Sequence, residues 1–244
     1  MCHRVGIEGG DKGVSPMVLV FGHGSDDPGD ELNSRASFQR LANSPYDGLE
    51  LDVRRTADDA LVARHDPHLA DGRAVRDILS VDLPDDVVML DEVLDIMRGR
   101  IVNIEIKNYS IDPGFDADER VTDLVLDLLE ARDGSDRVIV SSFGPGCLRR
   151  VRERRPELPT AVLLYYREEV AEVLDRVVRD GHPLVHPFEP HVDEVFVSAA
   201  HERGIGVNVW TMDERVATMQ RLVDLGVDGI ITGRPERVPL ASGA

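Results

Sequence analysis

Residues 48–53 read Gly48-Leu49-Glu50-Leu51-Asp52-Val53, and their alternation decides the fold. In a strand, successive side chains point to opposite faces, so Leu49, Leu51 and Val53 share one face and Glu50 and Asp52 the other. The aliphatic face must pack against helices, which sends the two carboxylates into the interior of a closed sheet. The same parity along Val102-Asn103-Ile104-Glu105-Ile106-Lys107 turns Asn103, Glu105 and Lys107 inward and Ile104 and Ile106 outward. Three acids and one lysine therefore share a single interior.

Outward from these two strands, short β-branched runs recur, each followed by a stretch with helical spacing, the alternation expected of parallel strands joined by crossover helices. Eight strands are predicted: Val18–Phe21, Leu49–Val53, Val102–Ile106, Val138–Ser141, Thr160–Leu164, Leu184–His186, Gly206–Val209 and Gly229–Thr232. Helices are predicted over Leu32–Ala42, Leu90–Met97, Arg120–Ala131, Pro145–Arg155, Glu168–Asp180, Val192–Arg203 and Glu214–Leu225. Pro145 suits a first helical turn, Gly181, Gly204 and Gly226 suit left-handed helix caps, and Asp213 suits an N-cap. The fold class is α/β, a single (β/α)8 TIM barrel, with residues 1–16 a loose leader and 17–244 the barrel domain. The turn-rich stretch from His65 to Leu90 reads as an excursion over the barrel mouth.

A formal net charge of −18 repels polyanions, which argues against nucleic acid as a substrate and for a small molecule. No apolar run approaches the roughly 20 residues of a membrane span. Cys2 and Cys147 form no metal or redox spacing and suit a reducing cytoplasm, the expected location.

Burying three carboxylates without compensation would cost several kcal/mol per ion, so they need a partner. One reading pairs Glu50 with Lys107 and leaves the others to backbone or water. A hard divalent cation, Mg²⁺ or Ca²⁺, accounts for more of the pattern, because carboxylate oxygens favour it and no cysteine–histidine cluster invites zinc. Thr56–Asp59 reads as a turn and Leu61–His65 as a strand returning His65 towards the acids, while His23 follows the first strand. Two histidines flanking a cation suit displacement at phosphorus, one activating the attacking oxygen and the other protonating the leaving one.

At these residues the chain resembles the glycerophosphodiester phosphodiesterase family of metal-dependent TIM-barrel enzymes. The resemblance runs from about Val18 to Pro235. It is carried by Gly48–Val53, His65-Asp66-Pro67, Leu90–Leu94, Asn103–Lys107, Ser141-Ser142-Phe143, Val207–Thr211 and Gly226–Thr232. It implies that Glu50, Asp52 and Glu105 are metal ligands, His23 and His65 an acid–base pair, Lys107 a phosphate contact, and Asn33 a substrate contact. Trp210 would be a wall of the substrate pocket or an element of barrel packing. Three positions depart from the family pattern. Gly24 stands where an arginine follows the first histidine, Leu32 where a glutamate is usual, and Gly233 where an aspartate is common. The segment after His65-Asp66-Pro67 is short for the family, which should leave the mouth more open.

The expected function is a metal-dependent phosphodiesterase acting on a small glycerophosphodiester-like substrate by His/His acid–base catalysis. The alternatives are lyase or transferase chemistry on a specialised metabolite in the same site, or a binding protein that retains the metal without turnover. Paired histidines weigh against the last, since binding alone needs no acid and base.

Overall fold

Nine strands and seven α-helices form among residues 18–24, 33–132, 134–166 and 168–239, which the computed structural model describes. The strands are β1 (Leu19–His23), β2 (Gly48–Arg55), β3 (Leu61–Ala63), β4 (Ile101–Ile106), β5 (Arg137–Ser142), β6 (Thr160–Leu164), β7 (Leu184–Pro187), β8 (Gly206–Trp210) and β9 (Gly229–Thr232). All but β3 pair in parallel around the ring β1-β9-β8-β7-β6-β5-β4-β2, and a direct β1–β2 pairing closes it. The closed eight-stranded parallel barrel is the fold that strand alternation predicts. Residues 1–16 and Leu32 lie outside the described residues.

The helices are α1 (Arg35–Ala42), α2 (Leu90–Ile96), α3 (Arg120–Ala131), α4 (Pro145–Arg154), α5 (Val170–Arg179), α6 (Glu194–Glu202) and α7 (Val216–Asp224). They cover the outer faces of the strands. Leu49, Leu51, Val53, Ile104 and Ile106 pack with Phe38 and Leu41 of α1, Val93 and Leu94 of α2 and Val125 of α3 in one apolar cluster. A second cluster joins Val185, Val207, Val209 and Ile230 to Leu174, Phe196 and Leu222 of α5 to α7. With the aliphatics committed outward, the alternate residues of β2 and β4 have only the barrel interior to occupy.

Helix ends follow local chemistry. Pro145 opens α4, where its missing N–H costs no helical bond, and Asp193 caps α6 by accepting from Phe196 N at 2.9 Å. Gly181, Gly204 and Gly226 take positive φ after their helices, as expected. Asp213 does not cap α7: its carboxylate accepts from Arg215 N and Thr218 Oγ1, and the helix begins at Val216.

The stretch from residue 65 to 90 is more ordered than its turn-rich sequence implies. It carries two single-turn 3-10 helices, Val75–Asp77 and Ser80–Asp82, and Val62, Leu69, Val75 and Ile78 form a small apolar cluster of their own. Strand β3 is shorter than Leu61–His65; it runs antiparallel to β2, with Val53 opposite Ala63, and ends two residues before His65.

Candidate active site

Strand register assembles the acids. Glu50 lies beside His23 across the closing seam and beside Asn103 on β4, while Asp52 lies beside Glu105, which lies beside Ser141 on β5. Glu50, Asp52 and Glu105 are all buried, and each offers one oxygen to a set lying within 4.8 Å of one another. The acids that parity turns inward do meet at one point.

Lys107 is the compensating charge, but not through Glu50. Its Nζ sits 2.8 Å from Asp52 Oδ1 and 2.6 Å from Glu105 Oε1. Glu50 faces His23 instead, with His23 Nε2 3.3 Å from Glu50 Oε2. One ammonium cannot neutralise three acids. Burial, reinforced by the neighbouring Asp52 charge, pushes the Glu50 carboxyl well above the usual carboxylate range despite Lys107. Burial likewise lifts Glu105 to about 7, against the pull of Lys107 and with the push of Asp52 and Glu50. For Asp52, burial is outweighed by Lys107, His23 and His65, and its carboxyl is lowered. Burial opposes the charged form of Lys107, yet Glu105 and Asp52 raise it above the usual lysine range.

Asp52 Oδ2 is buried with no hydrogen-bond partner among the described residues. A buried, unpartnered carboxylate oxygen beside two acids whose carboxyls burial pushes up is the signature of a site short of positive charge. Three hard oxygen donors suit Mg²⁺ or Ca²⁺, so the residues present fit a divalent cation.

Elsewhere in the interior an apolar cluster of Phe21, Ile101, Ile139, Ala161 and Ile231 lies alongside two polar pairs. Asn103 Nδ2 donates to Ser141 Oγ at 3.1 Å, and the Asn208 amide lies 3.1 Å from His186 Nε2. His186 is fully buried, and burial alone pushes it down to about 3, so it is a neutral packing element of this interior.

The two candidate acid–base residues stand at the rim. The His23 side chain is 41% exposed, and that of His65 is 58% exposed with Nδ1 3.0 Å from Asp66 Oδ1. His65 therefore leans on its neighbour rather than pointing directly onto the carboxylates. Both histidines are nonetheless close enough to Asp52 to stabilise its charge.

Trp210 ends β8 in an aromatic group built from successive loops. Its ring stacks on Phe188 with centroids 4.4 Å apart and on Tyr165 at 5.7 Å, and meets Phe143 edge-on at 6.5 Å. Its Nε1 is buried without a hydrogen-bond partner among the described residues. Asn33 is buried at φ 62° and its backbone N–H donates to Gly24 O at 2.9 Å.

Residues 22–237 match the glycerophosphoryl diester phosphodiesterase family. The chain belongs to that family. It is 29% identical over 240 residues to the glycerophosphodiester phosphodiesterase of Caldanaerobacter subterraneus subsp. tengcongensis, covering 90% of this chain and 95% of that one. It is 26% identical over 249 residues to the glycerophosphodiester phosphodiesterase of Bacillus altitudinis, covering 91% and 96%. Among solved structures, an Oleispira antarctica phosphodiesterase in complex with the product sn-glycerol-3-phosphate superposes with a TM-score of 0.81 at 17% identity, covering 91% and 95%. The Thermotoga maritima glycerophosphodiester phosphodiesterase superposes with a TM-score of 0.74 at 23% identity, covering 90% and 96%. These superpositions carry the fold. The family membership makes the chain a phosphoric diester hydrolase.

Gly24 and Gly233 each stand against a neighbouring polar side chain. Gly24 has φ +61°, and a Cβ built there would lie 2.9 Å from Asn33 Oδ1. The volume beside Gly24 is thus filled by Asn33 rather than left empty. At Gly233, the backbone N–H donates to Glu214 Oε1 at 2.7 Å, and a Cβ there would lie 2.9 Å from the same oxygen. Glu214, two residues before α7, brings a carboxylate to the turn after β9, accepting from Thr232 Oγ1 at 3.2 Å as well as from Gly233 N. Sequence reading missed Glu214, because its role appears only when the β8–α7 loop folds against the end of β9. It also missed Arg54, which shares the inward parity of Glu50 and Asp52 but pairs with a residue far along the chain.

Proposed function

We propose that this family member hydrolyses a small glycerophosphodiester with one divalent cation, Mg²⁺ or Ca²⁺, held by Glu50, Asp52 and Glu105, and with His23 and His65 exchanging protons. The observation that carries the reading is the convergence of three buried carboxylates, one with an unpartnered oxygen, on a single point of the barrel mouth. The names of the relatives support the substrate class, as does the sn-glycerol-3-phosphate held by the Oleispira antarctica structure. No helix among the described residues is long and apolar enough to cross a membrane.

The bound cation supplies Lewis-acid polarisation of the phosphoryl oxygens. The protein's own groups do the rest. His23, at the end of β1 beside Glu50, and His65, in the loop after β3, both act on the charge of Asp52. One accepts the proton of the attacking hydroxyl, from water or from the substrate's neighbouring alcohol, as the new P–O bond forms. The other delivers a proton to the departing alkoxide as the old P–O bond breaks. Asp66 occupies Nδ1 of His65, so the travelling proton is carried on Nε2. Lys107, kept protonated by Asp52 and Glu105, offers positive charge to the phosphate. Trp210, with Phe188 and Tyr165, walls the side from which the alcohol group approaches.

Alanine at His23 or at His65 is expected to lower kcat on glycerophosphodiesters by roughly 10²-fold while leaving cation affinity unchanged. A parent rate for either variant removes that residue from the proton transfers. Lost cation binding would reassign it as a ligand.

A further inference from the structure

His65 poses a mechanical problem. A side chain that must pass a proton has to be held to within a fraction of an ångström, yet this one is exposed and sits beyond the end of a three-residue strand. Among the described residues the ring's hydrogen-bond partner is Asp66, whose own side chain is 71% exposed. What fixes it lies in the main chain and behind it.

The ladder between β2 and β3 extends one step past β3, where Arg64 N donates to Asp52 O at 2.8 Å. The next residue, His65, is caught from below: Arg54 Nε donates to His65 O at 2.9 Å. Arg54 follows Asp52 by two places on the same inward face of β2, so one strand carries both a candidate cation ligand and the clamp on the histidine. The Arg54 guanidinium is itself immobilised. Nη1 and Nη2 donate to the two carboxylate oxygens of Asp112 at 2.8 and 2.9 Å, and both side chains are buried. Asp112 is fastened in turn within the β4–α3 loop, accepting from Gly114 N at 2.7 Å while its own N–H donates to Tyr109 O at 2.8 Å. Asp112 neutralises the Arg54 charge, which makes Arg54 a poor phosphate ligand and a good fixed strut.

We infer that Arg54, clamped by Asp112, is a positioning residue that sets the place of His65 relative to the carboxylates of β2 and β4. The inference rests on the reading of His65 as a proton-transfer group.

Because an unpaired Asp112 left in the interior would threaten folding, the test uses Arg54→Lys, which keeps the charge and loses the fork, and the double variant Arg54→Met/Asp112→Leu, which removes both charges. Each is made with and without His65→Ala, and kcat and KM are measured on glycerophosphocholine with Mg²⁺, alongside Mg²⁺ affinity by calorimetry. The expected result is a fall in kcat of about 10-fold for Arg54→Lys, with KM and Mg²⁺ affinity within two-fold of the parent. In the His65→Ala background the same substitution should change kcat by less than two-fold, because there is no longer an imidazole to position. A role confined to stability would lower the melting temperature and leave kcat below it untouched. If His65→Ala is slow but Arg54→Lys and Arg54→Met/Asp112→Leu run at the parent rate, or if the Arg54→Lys loss persists in full without His65, the inference is overturned while the function stands. If His65→Ala itself runs at the parent rate, the proton-transfer reading fails, and the inference with it.

Discussion

Lowering the pH should weaken the cation site by an amount the structure sets. In the absence of a cation, Glu105 titrates at about 7, because it is buried beside Asp52 and Glu50 with only Lys107 to oppose them. A ligand carboxylate must be ionised to bind a hard cation, so protons and cation compete. The ionised fraction falls from about three-quarters at pH 7.5 to about 3% at pH 5.5, and apparent affinity should fall by ~25-fold, or about 2 kcal/mol. Glu50, also raised by burial, makes this a lower bound. The sign for stability is opposite. Since the folded pKa of Glu105 lies above the ordinary value of about 4.3, its stabilisation of the cation-free fold is full below that value and is lost as pH rises through about 7. Added Mg²⁺ or Ca²⁺ should therefore raise the melting temperature strongly at pH 7.5 and little at pH 5.5. Calorimetric titration at the two pH values, in buffers of differing ionisation enthalpy, reads both the affinity and the released proton. Equal affinities with no proton release would refute the argument that burial and mutual repulsion tune this site.

Two further outcomes follow from the same geometry. The Glu50→Gln/Asp52→Asn double variant should lose measurable Mg²⁺ and Ca²⁺ binding by calorimetry, and retained binding would place the site elsewhere. Gly24→Arg should cost about 1–2 kcal/mol of stability by chemical denaturation, because a side chain there meets left-handed backbone geometry. Its Cβ would also stand 2.9 Å from Asn33 Oδ1. Asn33→Gly in the same chain should recover part of the loss, and a Gly24→Arg variant as stable as the parent would contradict the crowding.

The barrel and its acids were legible because parity is a local property. Leu49, Leu51 and Val53 must find helices, and once they do Glu50 and Asp52 have only the interior left. The capping glycines and Pro145 were legible for the same reason, since each answers to its own backbone. What escaped depends on loops meeting across the mouth. Nothing near Arg54 announces Asp112, and nothing near Gly233 announces Glu214. Lys107 was placed in the right interior, but its choice of Asp52 and Glu105 over Glu50 is settled by side-chain reach, which alternation does not encode. The extent of the returning strand was overestimated, because β3 stops at Ala63 and hands His65 to a loop.

The seam between β1 and β2 has a consequence for the order in which the site is assembled. His23 meets Glu50 only where β1 enters the ring, and β1 is held on its other edge by β9, with Leu19 opposite Gly229. A nascent chain can form the β2–β4–β5 portion, acids included, long before residues 229–232 leave the ribosome, but it cannot seat β1 between its two neighbours. On the reading of His23 as a proton-transfer group, its final placement therefore waits on residues 229–232. Under that proposal, a barrel that has paired β2, β4 and β5 but not yet seated β1 would hold the three carboxylates together and lack one half of the histidine pair.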